Sequence, residues 1–237
     1  MHYWNQSNFE GLERLADELA SLPGLQALAD YARARSQGRR REAFAALDGF
    51  LRNAPPPESL PARELSLLIL TLHGQTREAH QFLAQPLLSR FLLPALRAWA
   101  DSEPTAHAPL HWLGLLQNDG DLLRRALSAC PDDVAVRCRL IDFALGAADY
   151  ATHHLNEGFF IGEPAGARQA LELAAQLIAE APQTSPFSRH SDEVAQLSAL
   201  LDDWQAYSDH PEGSFADWCA ARQRPYAWAK KYYYSQT

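Results

Sequence analysis

Asp149, His153 and Glu157 stand four residues apart, with Tyr150 and His154 beside them. On a helix that spacing puts all three on one face, where carboxylate oxygen and imidazole nitrogen can seat a divalent metal. The pattern lacks the second His and the general-base Glu of H-E-x-x-H, so the competing reading is a polar helix face beside a loop. His107 and His111 share the i, i+4 spacing and carry the same two readings. The sequence holds no G-x-x-x-x-G-K-[ST], G-x-S-x-G or G-x-G-x-x-G, which removes the familiar phosphate loop, nucleophile elbow and dinucleotide fingerprint. Asp132-Asp133 reads as a helix start and Asp202-Asp203 as an exposed helix face. The expectation is a non-enzymatic protein without a cofactor. A small metal-dependent enzyme using residues 149–163 is the alternative.

Three other groups of residues are suited to gripping a partner. Arg33, Arg35, Arg39, Arg40 and Arg41 place five cations in nine residues around a turn. Such guanidinium groups either fork onto carboxylates and phosphates or simply complement the dipole of the preceding helix end. The segment from Asn156 to Pro164 sets Phe159, Phe160 and Ile161 between Gly158 and Gly162. Three large apolar residues in a loop are either a plug under the fold or an anchor for a partner. The run from Arg222 to Ser235, with Trp228 at its centre, interleaves cations and rings. It can contact a partner or single-stranded bases, or cover the last helices as a terminal cap.

Charge narrows the partner. The chain has 21 basic and 29 acidic residues, a net charge of −8, and residues 101–237 alone carry 10 basic and 19 acidic groups. Nucleic-acid binding usually needs the opposite balance, so a nucleic-acid accessory role is disfavoured. A protein or peptide partner, preferably basic, fits better; an adaptor, or an antitoxin or immunity protein against a basic toxin, would be one form. The longest apolar run, Leu65 to Leu72, is far short of the ~20 residues of a membrane span. Cys130, Cys138 and Cys219 form no CxxC pair and read as ordinary thiols. With no secretory signal, a cytoplasmic location is expected, and 19 Arg against two Lys points to a GC-rich bacterial genome.

These residues need a scaffold. Leu and Ala fill 76 of 237 positions, whereas Val, Ile and Thr fill 13. Unbranched side chains lose little freedom in a helix, and pleated sheets want branched ones, so the class is all-α. Breakers at Pro23-Gly24, Gly38, Pro55 to Pro57, Gly74, Pro86, Pro104, Asp119-Gly120, Pro131, Gly158 to Gly166, Pro182 to Pro186 and Pro211 to Gly213 divide the chain into roughly 11–13 helices. Gly74 is expected to end a helix that starts at Pro61, and Thr76 to open another that stops near Pro86.

The sequence also echoes itself. Gly38-Arg39-Arg40-Arg41-Glu42-Ala43 recurs 36 residues later as Gly74-Gln75-Thr76-Arg77-Glu78-Ala79. Gly-x-x-x-Glu-Ala followed by apolar positions and a terminal Pro resembles the second half of a tetratricopeptide repeat. Trp112-Leu113-Gly114 resembles a fragment of its first helix. The resemblance implies irregular, stacked antiparallel hairpins at about 25–55, 62–84, 107–131 and 133–182. It also implies a partner surface lined by the first helix of each, and Trp112 joins the partner-binding candidates. One helical-repeat domain over 1–237 is expected, with a soft boundary near 101–106 and a C-terminal cap over 187–237.

Overall fold

A computed structural model of the chain describes residues 7–224 and Tyr226. Among these the fold is all-α, with eleven helices and no strand. Two compact units divide between Ala129 and Cys130, in the turn ahead of a long helix, rather than near 101–106. The first unit holds α1 (Ser7–Ala20), α2 (Gln26–Ser36), α3 (Arg40–Asn53) and α4 (Leu60–Gln75). It continues with α5, a continuous run of Gln85–Leu87, Leu88–Leu92 and Leu93–Ser102, then α6 (His107–Gln117) and α7 (Gly120–Ala129). The second unit holds α8 (Val134–Thr152), α9 (Pro164–Ala179), α10 (Ser188–Asp209) and α11 (Phe215–Ala221), with short 3-10 turns at Leu155–Glu157 and Ser185–Phe187.

Helix ends follow their punctuation. The Ser59 hydroxyl accepts from the Ala62 amide, with Pro61 in the first turn, and Asp133 Oδ1 accepts from the Val136 amide at 3.0 Å. Gly38, with φ of +70°, turns the chain between α2 and α3, and Asn118, with φ of +53°, ends α6. In the first unit Leu12, Leu15 and Leu19 of α1 are buried with Leu28 and Tyr31 of α2 and Leu47 of α3. Close backbone approach needs glycine at Gly114, where a Cβ would lie 2.8 Å from the Leu123 side chain of α7. In the second unit Arg137 is buried and donates to the carbonyls of Leu177 (2.6 Å) and Pro131 (2.9 Å), tying α8 to the end of α9.

The helix expected from Thr76 to Pro86 does not form. Gly74 lies inside α4, and residues 77–84 run as turns, with Glu78 at φ +63°. The two copies of the echo therefore adopt different structures. Long-range packing decides the second one. The Tyr31 hydroxyl, on α2, donates toward the carbonyls of Gln81 (3.2 Å) and Phe82 (3.0 Å), and Phe82 and Ala79 are buried. Those carbonyls gain the partner that a helix would otherwise have given them. Gly11 of α1 lies so close to this segment that a Cβ there would collide with the Arg77 carbonyl oxygen. Farther on, Pro94 has no N–H to give the Arg90 carbonyl, and the Leu93 amide instead donates five residues back to Leu88, a single π turn.

Two outcomes follow for the first unit. Gly11→Ala is expected to cost about 1–3 kcal/mol in denaturant unfolding, because backbone must move to admit the methyl group. Burial pushes the Tyr31 phenol up to about 12 from 10.0, against a smaller opposing pull from Arg35. The folded state therefore holds this proton more tightly than the unfolded chain. Stability present below pH 10 should decline as pH rises toward 12, and Tyr31→Phe should lack that part of the decline in alkaline unfolding.

Candidate partner-binding surface

Helix α8 buries Ile141, Ala144, Leu145, Ala148 and Ala151 in a core shared with Leu171, Ala174 and Ile178 of α9 and Leu201 of α10. Its other side carries Phe143 and Tyr150, 38% and 62% exposed. Seven residues separate the two rings, about 10 Å along the axis. Gly146 and Ala147, both exposed, lie between them, and a Cβ on Gly146 would meet nothing within 4 Å. The result is a low saddle with a ring at each end.

Beyond Thr152 the ring row continues into the loop. Tyr150 and His153 have centroids 6.2 Å apart, His153 and His154 4.3 Å, and His154 and Phe159 4.8 Å with planes inclined by 16°. Gly158, at φ +89°, makes the reversal that brings Phe159 back over His154. The Ile161 amide donates to the Ala151 carbonyl at 2.9 Å, pinning the loop to the end of α8.

The loop answers the plug-or-anchor question one residue at a time. Phe160 is half-buried, with its ring 6.3 Å from Trp204, and packs at the join of two apolar clusters. Phe159 is 48% exposed. Phe160 thus packs inward as a plug, and Phe159 stands outward over the His154 ring.

The proposed metal face is interrupted. Helix α8 ends at Thr152, so His153 caps it, and Glu157 lies in the following 3-10 turn. Asp149, His153 and Glu157 do not converge into a three-ligand group. Glu157 instead sits 3.3 Å from His154 Nδ1. His107 and His111 meet edge to face at 5.4 Å, and His111 lies 4.7 Å from the Trp112 ring. Trp112 is half-buried against the first unit's core, and its ring faces Gly74 of α4. It acts there as packing between α4 and α6.

The arginines separate by partner. Arg33 pairs with Asp17 (3.0 Å) and Asp30 (3.8 Å), joining α1 to α2. Arg39 turns onto Glu42 and Gln37. Arg35 donates to the Gln81 side chain at 2.7 Å, and Arg40 lies over the Phe44 ring at 5.8 Å. Arg41 is exposed and carries no ion pair among the described residues.

Trp228 lies outside the described residues. Just before it, Arg224 pairs with the buried Asp203 at 2.7 Å, and the Tyr226 hydroxyl donates to the same carboxylate. Asp203 therefore belongs to an internal latch rather than the exposed face expected of Asp202-Asp203. Burial and the Asp203 charge push the Cys219 thiol up to about 11, so it stays a thiol at neutral pH. Phe143 carries no motif in the sequence, and Tyr150 stands out there only beside the Asp149–His153–Glu157 spacing. Their i, i+7 spacing across Gly146 and Ala147 was the available signal. No protein family, curated protein or solved structure matches the chain.

The two phenylalanines should separate on substitution. Phe160→Ser is expected to lower unfolding free energy by about 2–3 kcal/mol, and Phe159→Ser to change it by less than about 0.5 kcal/mol. Parallel urea titrations of the two variants check this.

Proposed function

We propose that the protein is a non-enzymatic interaction module that takes a basic segment of a partner protein across the Phe143–Tyr150–Phe159 face. The observation that carries this reading is the exposed aromatic row itself. Large rings left outside a Leu- and Ala-rich core are the side chains that anchor interfaces, since they bury much area at little entropic cost. The Gly146–Ala147 saddle gives an incoming backbone room to approach.

Charge supports the sign of the partner. Residues 130–237 hold 15 acidic and 8 basic groups. Beside the row, Asp149 has no ion pair among the described residues, and Glu157 meets only a histidine. A basic amphipathic helix would lay apolar positions into the saddle and its cations toward these carboxylates. Because α8 is already ordered by α9 and α10, binding costs little reorganisation. In the tetratricopeptide-like reading α8 is the first helix of its hairpin, the position that faces a ligand. An adaptor, or an antitoxin against a basic toxin, would work in this way.

The test is recovery of partners from the native cell by wild type and by the Tyr150→Ser/Phe159→Ser double variant, each with its melting curve. Wild type should retain one stoichiometric basic protein, released as salt approaches about 0.5 M. The double variant should melt normally and lose it. Equal recovery by both proteins would overturn the reading.

A further inference from the structure

Arg35, Gly38, Arg40, Phe44 and Gln81 line a cavity of about 510 Å³ in the first unit, within the size range of small-molecule sites. The guanidinium carbons of Arg35 and Arg40 each lie 5.8 Å from the Phe44 ring centroid. Neither arginine is paired with a carboxylate among the described residues, whereas their neighbours Arg33 and Arg39 both are. The Arg35 side chain donates through Nη2 to the neutral Gln81 amide, and its Nε is buried without an acceptor. Two cations thus share one cavity with no internal countercharge.

The wall around them is held in place. Tyr31 bonds the carbonyls of Gln81 and Phe82 and packs its ring 6.3 Å from Phe44. Gly38 leaves its side of the cavity open, since a Cβ there would meet nothing within 4 Å. Helix α3 begins at Arg40 with no side-chain cap, and the Arg40 amide donates to the Gly38 carbonyl at 2.9 Å, fixing the turn at this corner.

We propose that this cavity binds a phosphate monoester carried on an apolar body. Such a group bears close to two negative charges at neutral pH, matching the two guanidinium groups, and its oxygens suit their forked donors. The free part of Phe44 and the space beside Gly38 receive the body. This site is independent of the aromatic row on α8.

Titration with phenyl phosphate, followed by ³¹P NMR, tests the site, with inorganic phosphate and a phosphotyrosine tripeptide as companions and phenol followed by its own ¹H signals. Phenyl phosphate should saturate with a dissociation constant of about 1 mM or tighter, inorganic phosphate should bind about tenfold more weakly, and phenol should not bind. Arg40→Gln and Arg35→Gln should each weaken phenyl phosphate about tenfold, and Arg39→Gln and Arg33→Gln by less than about twofold. Phe44→Leu should reduce phenyl phosphate to the level of inorganic phosphate. Tighter binding of the tripeptide would assign the phosphate to a modified protein, and equal or weaker binding to a small molecule. Absence of saturation, or an equal loss in Arg39→Gln and Arg40→Gln, would overturn the proposal.

Discussion

Short helices built from alanine and leucine can hold their shape only by burying one stripe against a neighbour. Everything else in this protein depends on where those stripes are spent. In the second unit α8 spends its stripe on α9 and α10 through Ile141, Ala144, Leu145 and Ala148. Small residues at that contact let the helices approach closely. The same geometry leaves the opposite side of α8 outside that core, and there the rings of Phe143 and Tyr150 are 38% and 62% exposed. The exposed row is therefore a consequence of how the core is shared.

In the first unit the constraint is one buried hydroxyl. Tyr31 supplies the hydrogen bonds that let residues 77–84 lie buried without helical structure. By fixing Gln81 it also sets one wall of the cavity that holds Arg35 and Arg40. A single side chain of α2 thus links core packing to the wall of a surface cavity.

Helices such as α2, α3, α6 and α7 were legible because glycine, proline and Asp-Gly turns punctuate them at their ends. The segment after Gly74 was not, although its residues repeat those after Gly38. Its conformation is decided by Tyr31, some fifty positions away, and by Gly11 on α1, and no local pattern contains either. The arginine cluster shows the same limit. Its five members look alike in sequence, yet Asp17 and Glu42 neutralise two of them and leave Arg35, Arg40 and Arg41 without acids among the described residues. Phe159 and Phe160 are equivalent in the sequence, two rings side by side in one loop. Only the reversal at Gly158 shows that one faces inward and the other outward.

Whether a conspicuous side chain is structural or functional can be judged by what already satisfies it. Asp203 has Arg224 and Tyr226, Trp112 has Gly74 and the core, and each is accounted for within the fold. Among the described residues, the ring contacts of Tyr150 and Phe159 are with neighbouring rings of the same exposed row. The most direct measurement is photo-crosslinking in the native cell from a benzophenone amino acid placed at position 150. An adduct with one basic protein is expected from position 150, and none when the same probe occupies position 160. Adducts that are absent from position 150, or no different between the two positions, would contradict it.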